Sequence, residues 1–382
     1  MRTGPLTWEI LCRVIDHYGD AGVAWRLARQ LANEQGESVT LWIDDPAPLA
    51  RLVPGVDPAR DGVSDRVTVR RGPDPAAPWT PPDVLVDSFG GGVPAPWIET
   101  MSRAARAPAW IVLEYLSAER WVEDAHRRVS PEPRTGLVRH YWCPGFTPAT
   151  GGLLRERDLL ARRDAFACDP GARSRLLASL GVQATAGARV VLVFSYPMPA
   201  LAGLLEAWCD GDTSTLALFP EGVGANALDR WSGGDVPHPG APFTRGALTV
   251  AAIPFVPQRD FDTLLWSCDA AIVRGEDSFV RAQWAAVPFA WHAYPQDEGA
   301  HREKVAAFLD RYLGGADPDD AAAVRDFHAS LDAGDGARLG AAWPAFARAA
   351  PRLAAHRRAW ADRLAAQPDL ASGVSEFVRN CL

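Results

Sequence analysis

The chain has 382 residues, of which 48% are hydrophobic and 23% are charged, and its formal net charge at pH 7 is -8. The length and hydrophobic content predict a globular protein with two full cores, and the acidic balance argues against a general nucleic-acid binder. Of the 39 basic residues (Lys+Arg), only Lys304 is a lysine. We interpret this imbalance as a coding preference for arginine.

Strand-like and helix-like runs alternate along the first half of the chain. Trp8–Ile15 is mostly apolar and predicts a first strand, and the helix that follows carries Val23, Leu27 and Leu31 on one face. Gly36 ends this helix. Further predicted strands are Ser38–Ile43, Val84–Asp87 and Trp110–Leu113, and predicted loops are Arg71–Pro82 and Arg127–Thr135.

The same pattern restarts in the second half. Predicted strands are Val190–Phe194, Leu216–Phe219, Leu248–Ile253, Ala270–Val273 and Pro288–Trp291, and predicted helices are Leu201–Trp208, Asp260–Trp266, Phe279–Ala286 and Glu298–Tyr312. Gly222–Ala247 is rich in glycine and proline and predicts a long loop. The alanine-rich tail Leu339–Leu382 predicts helices that pack back across the domains.

This alternation predicts the domain organisation. Strands that alternate with helices are typical of parallel sheets, and two such series of similar size predict two doubly wound α/β domains. The boundary is expected between Leu153 and Gly187. We therefore predict one Rossmann-like domain at 1–155, a second at 185–350, and a helical segment at 351–382 that crosses back to the first.

The segment Arg274–Gln283 directly follows a predicted strand and opens a predicted helix. A glycine-containing turn at the carboxyl end of a strand is where α/β proteins bind phosphate, because free N–H groups and the positive helix end favour an anion. Arg274 adds a cation, and the carboxylates of Glu276 and Asp277 suit ribose or sugar hydroxyls. The alternative is an ordinary Asp/Ser helix cap beside a surface arginine.

A second glycine turn, Val14–Val23, follows the first predicted strand. It carries Asp16 and Asp20, two carboxylates four residues apart, which suit an acid/base or cation-binding pair. The alternative is that Asp20 is a simple N-cap and Asp16 a turn residue. We interpret His17 as an ordinary turn histidine rather than a catalytic base.

The two turns together indicate a fold and a class of ligand. Ligands of doubly wound sheets bind at the carboxyl ends of the strands, so the turns are expected on opposite walls of a cleft. Two facing Rossmann-like domains with such a cleft, and C-terminal helices packing back, describe the GT-B glycosyltransferase architecture. Resemblance to that architecture implies that residues 1–155 would bind the acceptor and residues 185–350 a nucleotide sugar. Neither turn is a Walker A or G-x-G-x-x-G motif, so the sequence gives less support to nucleotide hydrolysis or to dinucleotide redox chemistry.

The six cysteines indicate no disulfide or zinc framework. They are Cys12, Cys143, Cys168, Cys209, Cys268 and Cys381, and none belongs to a C-x-x-C pair. Their mostly apolar neighbours predict buried free thiols in a reducing compartment. Met1–Glu9 has no signal-peptide pattern, and the longest uncharged run, 190–205, is shorter than the about 20 residues of a membrane-spanning helix. We therefore predict a soluble, cytoplasmic protein.

Several blocks, spread over nearly the whole chain, share their order and spacing with one enzyme family. They are Asp16–Leu27, Leu113–Glu119, Pro144–Phe146, Thr150–Leu153, Pro254–Gln258, Arg274–Phe279 and Trp291–Gln296. Each block alone is a weak signal. Taken together, they show that the chain resembles the EarP family of protein-arginine rhamnosyltransferases, which modify translation elongation factor P.

The resemblance implies a reaction and its participants. An inverting glycosyltransferase would move L-rhamnose from dTDP-β-L-rhamnose to the guanidine of one arginine on elongation factor P. Neither a metal nor another cofactor would be required. Elongation factor P and the nucleotide sugar are the expected partners, with no nucleic acid and no membrane. The modification helps ribosomes to translate polyproline stretches.

The resemblance also implies roles for single residues. Asp20 would be the general base, Asp16 would orient the acceptor guanidinium, and Glu276 would act near the sugar or the acceptor. The donor would be bound by Phe194, Tyr196, Phe255, Gln258, Phe261, Arg274, Asp277, Ser278 and Tyr294. Carboxylates suit the acceptor because they bind a guanidinium in a charge-assisted fork and can accept its proton. For Phe194, core packing inside a strand remains an alternative.

The sequence departs from the family's pattern at His17-Tyr18, at Val86–Gly92 and at Gly222–Ala247. Asp87 and the triple glycine that follows it would face the acceptor, so these departures concern how the acceptor docks. Three alternatives stay open. They are a GT-B transferase with another nucleotide sugar or a small-molecule acceptor, a catalytically silent binder of elongation factor P, and a GT-B-like epimerase or hydrolase.

Overall fold

The computed structural model describes residues 4–74, 76–234, 237–296 and 299–381. The chain divides into two units, Met1–Arg157 with Arg363–Leu382, and Asp158–Asp362. Each unit contains one largely parallel sheet, so the predicted α/β class with two parallel-rich sheets is confirmed. The positions covered by the predictions that lie outside the described residues are Met1–Thr3, Pro75, Asp235, Val236, Asp297, Glu298 and Leu382.

The sheet of the first unit has, in the described residues, eight strands in the order β3-β4-β2-β1-β5-β6-β8-β7. They are β1 (Thr7–Cys12), β2 (Ser38–Ile43), β3 (Gly62–Ser64), β4 (Val67–Arg71), β5 (Val84–Ser88), β6 (Ala109–Leu113), β7 (Val129–Pro131) and β8 (Val138–Trp142). Neighbours are parallel except at the two edges, where β3–β4 and β7–β8 are antiparallel. Every residue of β5 and β6 is buried, as expected of a central parallel strand.

The helices of the first unit come from both ends of the chain. They are α1 (His17–Glu34), α2 (Ala47–Leu52), α3 (Ala95–Arg103), α4 (Trp121–Ala125) and the C-terminal α15 (Leu370–Cys381). The helix α15 packs on α1 and buries Leu370, Val374 and Val378. The tail therefore completes the core of the unit in which the chain begins.

The sheet of the second unit has six strands in the described residues, in the order β11-β12-β10-β9-β13-β14. They are β9 (Arg189–Val193), β10 (Thr215–Pro220), β11 (Phe243–Arg245), β12 (Leu248–Ile253), β13 (Ala270–Arg274) and β14 (Phe289–His292). Only the β11–β12 pair at one edge is antiparallel in this part of the chain.

The helices of the second unit are α5 (Leu159–Cys168), α6 (Ala172–Ser179), α7 (Leu201–Cys209), α8 (Ala225–Ser232), α9 (Phe261–Trp266), α10 (Asp277–Ala285), α11 (Ala300–Tyr312), α12 (Pro318–Ala333) and α13 (Gly336–Arg352). The helix α14 (Ala354–Ala365) leads into the C-terminal segment. The helices α7 and α13 meet closely, since a Cβ on Gly203 would lie 2.1 Å from the carbonyl oxygen of Gly336.

Most predicted strands of the two sheets are confirmed to within a few residues, but three local predictions are wrong. The first helix begins at His17 rather than near Val23. Gly222–Ala247 contains α8 and β11 rather than only a loop, because Ala227, Leu228 and Trp231 bury one side of a short helix. Arg127–Thr135 contains β7, which pairs with β8 as an edge hairpin.

The cysteines are all free thiols. Cys12, Cys143 and Cys268 are buried, whereas Cys168 and Cys381 are exposed, so the predicted burial is wrong for those two. Within the residues that the structure describes, no helix combines the length and the apolar character that crossing a membrane demands.

Candidate active site

Asp20 lies in the first turn of α1, the helix that follows β1. Its side chain is buried, with 2% exposure. Its Oδ2 accepts the backbone N–H groups of Ile15 and Asp16, both at 2.7 Å, and the hydroxyl of Tyr115 also donates to its carboxylate. The N-cap of α1 is Asp16, so the alternative that Asp20 is a simple N-cap is wrong.

Burial changes the acid strength of Asp20. Desolvation raises its pKa above the ordinary value of 3.8, and the negative charge of Asp44 adds to the increase. The hydrogen bonds from Ile15, Asp16 and Tyr115 act in the opposite direction. Since a higher pKa means a stronger conjugate base, the ionised carboxylate is well suited to accept a proton.

Asp16 lies beside Asp20 and is also buried, with 8% exposure. Its position depends on Gly19, because a Cβ at that residue would lie 2.3 Å from Asp16 Oδ2. Its carbonyl oxygen accepts the Gly19 N–H at 2.6 Å. The glycine that the sequence offered as a turn former is therefore a helical residue that makes room for a carboxylate.

More carboxylates occupy the same edge of the sheet. Asp44 follows β2, Asp87 lies near the end of β5, and Glu114 follows β6. The neighbouring strands end level, because Cys12 of β1 is in register with the last residues of β2 and β5. We call Asp20, Asp44, Asp87 and Glu114 the acidic rim.

The members of the acidic rim influence one another. Burial raises the pKa of Asp87, and it also raises the pKa of Glu114, with a further increase from the charge of Asp87. The Gly92 N–H donates to Asp87 Oδ1 at 3.0 Å, which gives the glycine-rich segment after β5 a structural role. A cation placed among these carboxylates would relieve their mutual repulsion, and a guanidinium can bind them through several donors.

The β13–α10 turn holds the second set of predicted residues. Gly275 has a φ of +56°, which a glycine adopts readily, and its carbonyl oxygen accepts Trp291 Nε1–H at 2.7 Å. The Ser278 hydroxyl accepts the Arg274 N–H at 3.0 Å and donates to the Arg274 carbonyl at 2.5 Å. The turn is therefore closed by its own side chains at the positive end of α10.

Aromatic rings surround Arg274. Its Cζ lies 4.6 Å from the ring centre of Phe194 and 5.0 Å from that of Tyr196, which are cation–π distances. Phe261 packs against Phe194 with ring centres 5.5 Å apart. Tyr294 meets Tyr196 edge to face at 5.4 Å and is 42% exposed. These five predicted donor residues therefore form one group in the second unit.

The remaining predicted residues flank this group. Gln258 is buried, and its Nε2 donates to Asp277 Oδ2 at 3.0 Å. Phe255 is half-buried in the same loop as Gln258. Glu276 Oε1 lies 2.8 Å from Lys304 Nζ. Thus Glu276 and the predicted donor residues belong to the second unit, and Asp16 and Asp20 belong to the first.

Sequence reasoning missed the contributions of Tyr115, Glu114 and Lys304. Tyr115 and Glu114 directly follow a strand that was predicted, so their place at its carboxyl end was a usable signal. Lys304 was visible as the one lysine of the chain, but it was attributed to coding preference alone. Among the residues that the structure describes, no three His, Cys, Asp or Glu side chains form a group able to hold a metal ion.

Comparison with known families decides the class of protein. The family described as elongation-factor P (EF-P) rhamnosyltransferase EarP matches residues 8–379. The chain belongs to the EarP family. A protein-arginine rhamnosyltransferase of Pseudomonas putida is 46% identical over 381 residues, which cover 98% of this chain and 99% of that protein.

Solved structures agree with this membership. One that concerns the structural basis for EarP-mediated arginine glycosylation of translation elongation factor EF-P is 38% identical, with a TM-score of 0.70, and the match covers 99% of this chain and 100% of that one. Phytolacca americana UGT2 complexed with UDP-2-fluoroglucose and pterostilbene shows a shared fold alone, at 13% identity, a TM-score of 0.50 and full coverage of both chains. The predictions of the family, of the GT-B fold and of a glycosyltransferase enzyme are confirmed.

Proposed function

We propose that this enzyme transfers L-rhamnose from dTDP-β-L-rhamnose to an arginine side chain of elongation factor P in the cytoplasm, with inversion at the anomeric carbon. Membership of the EarP family supports this reaction. The single observation that carries the acceptor assignment is the acidic rim, because neighbouring carboxylates suit a guanidinium and burial raises the pKa of three of them, Asp20, Asp87 and Glu114.

The acceptor must be activated, because a guanidinium is cationic, delocalised and a poor nucleophile. In our proposal Asp16 and the acidic rim hold the guanidinium and draw its charge away from one nitrogen. That nitrogen transfers its proton to the Asp20 carboxylate. Its electron pair forms the new bond to C1 of the rhamnose, while the bond from C1 to the phosphate oxygen breaks and leaves its pair on dTDP. Attack opposite the leaving group inverts C1.

The leaving dTDP gains negative charge, and the β13–α10 turn offers positive charge to it. The N-terminus of α10 and the Arg274 guanidinium would stabilise the diphosphate. The hydroxyls of Tyr196, Ser278 and Tyr294 and the aromatic side chains beside them would hold the rest of the donor. The reaction needs no metal or cofactor in this proposal, so a chelator should leave the rate unchanged.

The decisive test is the intact mass of elongation factor P from the same organism after incubation with the enzyme and dTDP-β-L-rhamnose. We expect a gain of one deoxyhexose, which peptide mapping assigns to one arginine. Changing that arginine to lysine in the acceptor should abolish the gain.

Two further reactions separate the alternatives. An equal rate with a UDP sugar would contradict the donor assignment. Consumption of dTDP-β-L-rhamnose in the absence of elongation factor P, with no gain in mass in its presence, would instead indicate a hydrolase or an epimerase.

A further inference from the structure

We infer that Lys304 is a positioning residue for Glu276, which it holds through an ion pair in which an arginine cannot replace it. This inference rests on the function proposed above, in which Glu276 acts on the reacting groups. Lys304 Nζ lies 2.8 Å from Glu276 Oε1. Lys304 belongs to α11, and Glu276 is the residue that precedes α10. The pair therefore ties α11 to the β13–α10 turn.

The pair is shielded from solvent. The side chains of Lys304 and Glu276 are 17% and 13% exposed. By contrast, Arg302 on the same helix pairs with Asp332 while 66% of its own side chain is exposed. Since water and salt screen an exposed pair more than a shielded one, Lys304 is the better placed of the two cations to fix the orientation of a carboxylate.

The backbone on both sides of Glu276 is already fixed. Trp291 Nε1–H donates to the carbonyl of Gly275, and the Ser278 hydroxyl bonds to both backbone groups of Arg274. These bonds set where the Cα of Glu276 lies. The contact with Lys304 then restrains the far end of its side chain, so the carboxylate is oriented from two directions.

The composition of the chain indicates that a lysine is needed there. Of 39 basic residues (Lys+Arg), 38 are arginine and one is Lys304. In a chain with so strong a preference for arginine, we expect a lysine to be retained only at a position where arginine cannot replace it. A lysine ammonium is a compact point donor, whereas the planar guanidinium of arginine matches both oxygens of a carboxylate as a fork.

This difference matters for an enzyme whose proposed acceptor is itself an arginine. An arginine at position 304 would present to Glu276 the same group as the substrate, and its fork would rotate the carboxylate to a two-point geometry. The Lys304 ammonium instead donates to Glu276 Oε1 as a compact point donor. The lysine thus orients the carboxylate without imitating the acceptor.

The test compares Lys304→Met and Lys304→Arg with Arg302→Met, a matched control that removes a cation two residues away on the same helix. We expect both Lys304 variants to lower kcat roughly 10- to 100-fold, the size of effect that misplacing a catalytic group produces, with little change in the KM for elongation factor P. The dTDP affinity should stay close to wild type, and Arg302→Met should keep its activity. The Tm should fall in Lys304→Met, because a shielded carboxylate loses this cation, and less in Lys304→Arg, which keeps the charge.

A double-mutant cycle with Glu276→Gln shows whether Lys304 acts through Glu276. Lys304→Met should cost nothing further in that background, because coupled residues are not additive. Additive losses, or wild-type kcat in Lys304→Met, would overturn the inference, and wild-type kcat in Lys304→Arg would overturn the need for a lysine. If Lys304→Met does not fold, the kcat of Lys304→Arg, which keeps the charge, tests the inference. Absence of transfer by the wild-type enzyme would instead refute the proposed function, and this inference with it.

Discussion

Asp20 combines two features that oppose each other. Its carboxylate is buried, which favours the protonated form, yet it accepts hydrogen bonds from Ile15, Asp16 and Tyr115, which favour the ionised form. Burial is the larger effect, so its pKa in the folded protein lies above the ordinary 3.8. A carboxyl group of this kind destabilises the folded state once it ionises, a cost that fits the proposed role of Asp20 as a base.

Asp20→Asn should abolish transfer while dTDP binding persists and the Tm at pH 7 stays equal or rises. The pKa of Asp20 is higher in the folded state than in the unfolded state. The folded protein therefore loses stability as the pH rises from the unfolded-state pKa through the folded-state pKa, and a neutral asparagine does not cause this loss. Single-turnover transfer, calorimetry with dTDP and thermal melts measure the three quantities. Asp57→Asn, an exposed carboxylate of the same unit, is the control. Retained transfer in Asp20→Asn would remove Asp20 from the role of base.

The pH dependence of the rate should report the same residue. Transfer should fall on the acid side at a pH above that of an ordinary aspartate, because the base must be ionised and its pKa is raised. Asp44→Asn should move this acid limb to lower pH, since the charge of Asp44 contributes to the raised pKa of Asp20.

The Asp44 variant keeps the local structure, because an asparagine oxygen can still accept the Val14 and Asp45 N–H groups that now donate to Asp44 Oδ1. Profiles of kcat/KM against pH test the shift. Asp45→Asn is the matched control and should leave the limb in place. An acid limb that does not move in Asp44→Asn would contradict the electrostatic coupling.

The β13–α10 turn shows how one short element can serve structure and binding together. Ser278 uses its hydroxyl twice within the turn, as acceptor of the Arg274 N–H and as donor to the Arg274 carbonyl. Tyr294, from the segment after β14, is instead 42% exposed and contacts Tyr196 by its ring. The two predicted donor residues therefore differ in how much the fold depends on them.

Ser278→Ala and Tyr294→Phe should separate these roles. We expect each to weaken dTDP binding by roughly 1–3 kcal/mol, as for a lost hydrogen bond to a charged group. For Ser278, whose one hydroxyl proton is donated to the Arg274 carbonyl, this requires the hydroxyl to turn to the phosphate when dTDP binds. Only Ser278→Ala should also lower the Tm, because it leaves two backbone groups of Arg274 without their partner. Calorimetry with dTDP and thermal melts of both variants test this. Unchanged affinity in Tyr294→Phe would remove Tyr294 from the donor site.

The whole molecule is organised so that its C-terminal segment stabilises its first unit. Glu37 is buried, with no exposure of its side chain, and pairs with Arg379 of α15. Its second oxygen accepts the Leu6 N–H at 2.7 Å just before β1. One buried carboxylate thus connects the start of the first strand to the last helix. Because β1 leads directly to Asp16 and Asp20, this connection also supports the candidate site.

Arg379→Met should lower the free energy of unfolding, because it leaves the buried Glu37 carboxylate without its cation. Breaking a buried pair costs about 3–5 kcal/mol, and we expect the lower end since Arg379 is 29% exposed. Urea denaturation measures the loss. The double variant Glu37→Gln with Arg379→Met should recover part of it, and equal stability of wild type and Arg379→Met would refute the role of the pair.

Much of the fold could be predicted because its signals are local. Buried parallel strands such as β2, β9 and β12 are mostly apolar runs, and helices such as α7 repeat their apolar residues every three or four positions. The strands β3, β4, β7, β8 and β11 and the helices α2–α6, α8 and α12 were not predicted. A strand of three residues is too short to show the alternation of apolar and polar residues. A helix of two turns is hard to predict in a glycine-rich segment, because glycine disfavours helices.

The sequence by itself determined the α/β class, the order of the main strands along the chain, the two turns after β1 and β13, and the family. Each of these depends on patterns within short contiguous segments. Tertiary structure alone decided which distant residues meet. It brought the carboxylates of four strands to one edge, paired Glu276 with Lys304 and returned Arg379 to Glu37. Ion pairs and shared burial between distant residues leave no periodic signal in the sequence, because they depend on where the packed elements place each side chain.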